Sequence, residues 1–157
     1  MPPIRRIPLA DADATARLGR AMAAIVNVGD VICLSGDLGA GKTHLARKII
    51  QSLQERHGTP VEDVPSPTYT LVQSYGAGPI EIVHADLYRL SDPAELDELG
   101  LTDAMETALC LVEWPDRMGR RVPPDALRIE LSVSGEGRVA TFEGHGWDVR
   151  IEGIADV

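Results

Sequence analysis

Residues Gly36-Asp37-Leu38-Gly39-Ala40-Gly41-Lys42-Thr43 fill the pattern G-x-x-x-x-G-K-[ST] completely. Each residue type has a physical task in that order. Gly36, Gly39 and Gly41 permit positive φ and close approach, so that successive backbone N–H groups converge on an anion. A helix opening at the end of the run adds the positive end of its dipole. Lys42 is a point charge for the outer phosphates, and the Thr43 hydroxyl is a hard-oxygen ligand suited to Mg²⁺. A chance glycine-rich turn would produce this octet in roughly one per cent or less of chains of this length. The run Asp37, Leu38, Gly39, Ala40, Gly41, Lys42, Thr43 and His44 is therefore expected to contact a nucleotide.

Phosphate chemistry at such a loop needs a carboxylate at the end of a neighbouring buried strand. Ala108-Leu109-Cys110-Leu111-Val112-Glu113 places an acid directly after five apolar residues. A carboxylate there is costly to leave unpaired, which favours a metal-side role for Glu113 over that of an ordinary surface acid. Ile82-Val83-His84-Ala85-Asp86 is a weaker version, in which Asp86 is either a site acid or a solvated strand end. Asp37 lies too close to the phosphates for a catalytic acid and is read instead as organising the loop through backbone hydrogen bonds. His84 could be a base, although a strand histidine is more often structural. Thr68, after Pro65-Ser66-Pro67, either senses a terminal phosphate or belongs to a stiff turn. Arg117-Met118-Gly119-Arg120-Arg121 is the one dense basic cluster, and it reads as a solvated loop, an arginine lid or finger, or a docking patch.

The elements that must position these groups follow from apolar spacing. Val31-Ile32-Cys33-Leu34 suits a strand buried on both faces, and Leu45, Ala46, Ile49, Ile50 and Leu53 make an amphipathic helix running to Gly58. An earlier helix is expected over Asp13–Val28, capped by Asp11 or Asp13 and stopped by Gly29. Beyond the proline-rich loop Thr59–Thr68, strands over Tyr69–Tyr75 and Ile80–Leu87 flank Gly76-Ala77-Gly78-Pro79 as a hairpin. Asp92-Pro93 opens a short acidic helix ended by Gly100, and a second covers Thr102–Glu106. A strand over Ala108–Trp114 stops at Pro115, and a last hairpin joins Leu127–Ser134 to Arg138–Glu143. The expected fold is α/β, a three-layer sandwich of the P-loop NTPase type with a mixed central sheet.

At 157 residues and 16.9 kDa, residues 1–157 make a single ATP-binding domain of globular composition. The net charge of −9, with Lys42 and Lys48 the only lysines, argues against a grip on nucleic acid by this chain alone. Cys33 and Cys110 lie in apolar runs and read as buried thiols of a reducing compartment. Apolar runs long enough to span a bilayer, or to form the core of a signal peptide near Met1–Asp11, are missing, so a cytoplasmic location and no membrane partner are expected. The single asparagine, Asn27, rules out the N-K-x-D route to guanine, and Asp97-Glu98-Leu99-Gly100 imitates D-x-x-G without a preceding strand. ATP is the expected nucleotide.

Taken with the phosphate loop, the motifs Ser66-Pro67-Thr68-Tyr69, His84-Ala85-Asp86-Leu87-Tyr88-Arg89 and Glu113-Trp114-Pro115-Asp116-Arg117 closely resemble the TsaE (YjeE) family. The resemblance spans roughly residues 10–133, with Tyr69 where the family commonly has Phe, and the tail 144–157 matches no motif. It implies a weak, partner-dependent ATPase that acts with the TsaD and TsaB proteins in forming N6-threonylcarbamoyladenosine at position 37 of tRNAs reading codons that begin with A. Contact with tRNA would come mainly through that complex. On matching positions it implies Thr43 and Glu113 at Mg²⁺, Asp86 in hydrolysis, and Thr68 in a switch-like loop beside the γ-phosphate; Lys42 completes the catalytic set. Tyr88, Arg89 and Trp114 match without an implied step. Two other readings fit the residues: a small-molecule kinase with an Arg117–Arg121 lid, and a non-hydrolysing adaptor switched by ATP.

Overall fold

Val31, Ile32, Cys33 and Leu34 are all buried, and a strand with no solvated face belongs in the middle of a sheet. In the computed structural model, which describes residues 3–154, that strand is β2 (Val31–Ser35). Around it the chain runs β1 (Arg5–Leu9), α1 (Ala12–Ala23), then after β2 α2 (Lys42–Arg56), β3 (Val72–Ala77), β4 (Ile80–Asp86), α3 (Glu95–Glu98) and α4 (Leu101–Thr107). It continues through β5 (Leu109–Glu113), a 3-10 segment (Pro115–Arg121), β6 (Leu127–Ser134), β7 (Gly137–Glu143) and α5 (Asp148–Glu152). Seven strands form one mixed sheet in the order β1-β7-β6-β2-β5-β4-β3. The central four, β6, β2, β5 and β4, are mutually parallel, while β3, β7 and β1 are added antiparallel at the two sides.

Alternation along the strands divides the core in two. Ile32, Leu34, Leu109, Leu111 and Ile82 face α1 and α2, where they meet Leu18, Met22, Leu45, Ile49 and Leu53. Val31, Cys33, Cys110, Val112, Val83 and Ala85 face the opposite way, under Leu96, Leu101 and Met118. Helices therefore cover both faces of the parallel strands, giving the three-layer α/β arrangement expected from the sequence. Gly19 lets α1 lie directly on α2, since a Cβ there would stand 2.5 Å from Lys48 Cβ.

Several boundaries differ from those read in the sequence, each for a local reason. Asp11 is the N-cap of α1, its Oδ1 accepting from Ala14 N at 2.8 Å. The helix stops at Ala23 instead of Val28, because Val26 turns into the core and Asn27 N donates to Asp30 Oδ2 at 2.7 Å. The strand β1 has no counterpart in the sequence reading. It holds only five residues, one of them Pro8, which an edge strand tolerates. β3 begins at Val72 and not Tyr69: Leu71 takes a left-handed φ of 68°, and Tyr69 is exposed in a turn. The Arg117–Arg121 cluster is not a plain loop but the end of the 3-10 segment, kinked at Gly119.

The tail has a structural part. Trp147, Ile151 and Ile154 are buried in the core that α1 and α2 also cover. The Trp147 Nε1–H donates to Asp125 O at 2.7 Å, and Arg150 stacks on the indole at 3.7 Å while reaching Asp30 Oδ2 at 2.7 Å and Ile25 O at 3.1 Å.

Candidate functional site

Parallel strands all end on one edge, and ligands gather there when loops diverge from neighbouring strand ends. After Ser35, β2 gives way to the glycine loop, and α2 starts at Lys42. Gly36, Gly39 and Gly41 have φ of 141°, 79° and 105°, a backbone open to glycine. Gly36 has a second constraint, because a Cβ would lie 2.5 Å from Leu131 O on β6.

Within the loop, Lys42 Nζ donates to Gly36 O at 2.6 Å and Asp37 O at 2.8 Å, which folds the side chain back along the inner surface of the cradle. The Asp37 carbonyl, which also receives Ala40 N, organises the loop. Burial holds the Lys42 ammonium below its usual 10.5, opposed by the negative charges of Glu113, Asp86 and Asp37. Trp114 caps it from outside, its ring centroid 4.2 Å from Nζ, and Tyr88 packs on that ring at 4.9 Å between centroids with a tilt of 46°. Trp114 itself adopts a left-handed backbone, φ 58° and ψ 54°, immediately before Pro115.

Strand register supplies the acids. Leu34 on β2 pairs with Glu113 on β5, and Asp86 on β4 pairs with Glu113, so both carboxylates stand beside the loop. Period-two alternation sends His84, Asp86 and Glu113 to the α2 side with Ile82 and Leu111. Thr43, in the first turn of α2, donates its hydroxyl to Glu113, with Oγ1 at 2.9 and 3.0 Å from the two carboxylate oxygens. On the far side His84 Nε2 lies 2.6 Å from Glu113 Oε2. Glu113 is 2% exposed, so its charge depends on these partners and on Lys42.

Asp86 is held from the other side. Its Oδ1 accepts Tyr88 N at 3.0 Å, and its Oδ2 accepts Thr68 Oγ1 at 3.0 Å and Ser66 Oγ at 3.2 Å. The two hydroxyls are also 2.7 Å from each other. The loop carrying them is anchored to α2 by Arg47 Nε on Val64 O at 2.9 Å and by Gln51 and Gln54 on Glu62.

The structure thus brings Lys42, Thr43, Glu113, Asp86 and Thr68 into one cleft with Leu38, Gly39, Gly41, His44, Ser66 and Trp114. Arg117, Arg120 and Arg121 do not line it, and Arg121 pairs with Asp97 at 3.3 Å on the surface. Two participants escaped the sequence reading. Ser66 lay within a motif already singled out, and its hydroxyl two residues before that of Thr68 was the available signal. Arg138, whose guanidinium donates to Ala40 O and Gly39 O at 3.1 Å each, braces the loop from β7 with no local sign in the sequence. Beside it a second cleft, lined by Leu9, Ala12, Thr15, Gly41, His44 and Arg138, adjoins the loop on its other flank.

Comparison with known proteins shows the family and the fold. A family model described as threonylcarbamoyl adenosine biosynthesis protein TsaE matches residues 9–140. The tRNA threonylcarbamoyladenosine biosynthesis protein TsaE of Rickettsia felis is 35% identical over 124 residues, covering 79% of this chain and 70% of that protein. Its namesake in Bacillus subtilis is 34% identical over 134 residues, covering 84% of this chain and 80% of the relative. The one in Haemophilus influenzae reaches 43% over 97 residues, or 61% of this chain and 58% of its own length. Among solved structures, that of Bacillus subtilis YdiB superposes with a TM-score of 0.76 at 27% identity, covering 96% of this chain and 93% of its own.

Proposed function

Because the chain belongs to the TsaE family, whose members serve threonylcarbamoyladenosine formation on tRNA, we propose that it is the Mg-ATP-binding, weakly hydrolysing ATPase of that pathway, acting with TsaD and TsaB. The observation that carries the reading is the convergence of Lys42, Thr43, Glu113 and Asp86 where the glycine loop meets the ends of β4 and β5.

The loop amides and Lys42 neutralise the phosphates, and the Lys42 side chain needs only to leave the carbonyls of Gly36 and Asp37 to reach them. The cleft on the other flank of the loop, with apolar Leu9 and Ala12 beside Arg138, is the place offered to the nucleoside.

The donor set fits Mg²⁺. Thr43 and Glu113 are hard oxygen ligands, and the described residues contain no cluster of three or more His, Cys, Asp or Glu able to cage an ion. Mg²⁺ is commonly bound by one or two carboxylates together with phosphate oxygens and water, and the Glu113 carboxylate beside the Thr43 hydroxyl supports that reading. The ion would be held by Thr43 and Glu113, and when bound it offsets charge on the β and γ phosphates. Asp86 orients the attacking water, and the hydroxyls of Thr68 and Ser66 hold its Oδ2 in place. The acidic surface leaves contact with tRNA mainly to the partner proteins.

Lys42→Ala tests the reading. It removes the point charge while leaving the loop glycines, and ATP binding measured by calorimetry should be lost. Unchanged affinity in that variant would refute the phosphate site.

A further inference from the structure

Among the described residues, His84 is the one buried polar side chain of the sheet that the proposed ATPase chemistry does not use. It is fully enclosed on β4, opposite Leu111 of β5 and one alternation before Asp86. Its Nε2 makes a 2.6 Å hydrogen bond to Glu113 Oε2, whereas among the described residues its Nδ1 has no partner. A histidine that serves only the core normally ties both nitrogens to backbone or solvent, since a buried polar atom without a partner is costly. Here the one hydrogen bond that the ring makes goes to a carboxylate of the site. An ionised carboxylate, the form that ligates a metal, only accepts, and toward it the ring presents Nε2 as the donor.

We propose that His84 is a positioning residue which fixes the Glu113 carboxylate toward Thr43, and that metal-dependent nucleotide binding relies on this bond. The inference rests on the reading of Thr43 and Glu113 as the Mg²⁺ side of the site. The terminal torsion of a glutamate is broad and nearly two-fold, so a carboxylate bonded to Thr43 alone can swing about its end. His84 removes that freedom from behind. Its ring is held in turn by the flanking strands, with Gln73 of β3 and Leu111 of β5 as its register neighbours. Outer partners of this kind typically change metal affinity 10–100-fold, roughly, when removed.

The test is ADP binding, in EDTA and across a Mg²⁺ titration, for the natural chain, His84→Leu, His84→Gln, His84→Asn and Glu113→Gln. ADP avoids any dependence on turnover. Glutamine can place an amide N–H where Nε2 stands; asparagine is too short to reach Glu113. The expected result is that His84→Leu and His84→Asn keep the EDTA affinity but need about 10–100-fold more Mg²⁺ for half of the metal effect, and that His84→Gln recovers most of it. If the leucine variant does not fold, the contrast between glutamine and asparagine decides. A natural Mg²⁺ response in His84→Leu or His84→Asn, or no advantage of glutamine over asparagine, overturns the inference. Failure of the underlying reading looks different: the natural chain itself would show no Mg²⁺ effect, or Glu113→Gln would retain it.

Discussion

Removing the indole of Trp147 should destabilise the protein more than any change at the phosphate loop, although this residue lies beyond the region matched by the family model. Trp147 is 2% exposed, and its environment allows the loss to be divided. Truncation of a buried tryptophan to alanine costs about 3–5 kcal/mol. Phenylalanine keeps most of the packing but gives up the Nε1–H bond to Asp125 O, so Trp147→Phe should cost about 1–2 kcal/mol. Arg150→Ala removes a half-buried ion pair with Asp30 and the stacking on the indole, together about 1–2 kcal/mol. For a chain of this size each kcal/mol lowers Tm by roughly 2–4 °C, which puts Trp147→Ala roughly 6–20 °C below the natural protein. Thermal denaturation followed by circular dichroism measures all three. Trp147→Ala and Arg150→Ala should be less than additive, because the indole and guanidinium share one contact. Asp30 precedes β2 and the phosphate loop follows it, so the clamp sits at the opposite end of the strand and ADP affinity should be unchanged well below Tm. A cost for Trp147→Ala below about 1 kcal/mol, or equal costs for alanine and phenylalanine, would refute the reasoning.

Other expectations concern the site and the core. Gly36→Ala must place a Cβ 2.5 Å from Leu131 O at a φ of 141°, so nucleotide affinity should fall at least tenfold by calorimetry; an affinity like that of the natural protein would show that the loop is not pinned against β6. Burial pushes the Cys33 thiol up to about 11 and the Cys110 thiol up to about 12. With both far above ambient pH, thiolate is scarce in the folded chain, and iodoacetamide at pH 8 should label neither cysteine until denaturant is added, as mass spectrometry would record. Prompt labelling of the folded protein would place a thiol at the surface. Thr68→Val should leave ADP binding intact while lowering ATP turnover, because its hydroxyl bonds Asp86 and not the loop; a parallel loss of ADP binding would assign Thr68 to the cradle.

The residues of the candidate site are more legible in local sequence than the strand order and boundaries of the fold around them. The phosphate loop is legible because its glycines, lysine and threonine are contiguous and each is demanded by backbone geometry or charge. Glu113 was legible from the apolar run before it, since a strand buried on both faces carries its acid to a defined edge. What connected Glu113 to Thr43 was the strand order β2-β5-β4, which no local pattern encodes. Arg138 braces the loop from a strand about a hundred residues away for the same reason. β1 was hidden by its brevity and by Pro8, and the start of β3 was misplaced because Leu71 adopts a backbone conformation that its residue type does not advertise. The tail matches no motif; within residues 144–154, the burial of Trp147, Ile151 and Ile154 and the bonds to Asp125, Ile25 and Asp30 give it a place.

Phosphate release from Mg-ATP by the purified chain, alone and with TsaD and TsaB, beside the Asp86→Ala variant, tests the central claim most directly. Turnover that is low alone, rises with the partner proteins and disappears in the variant is the predicted result. Equal turnover with and without the partners, or an Asp86→Ala chain as active as the natural one, would contradict it.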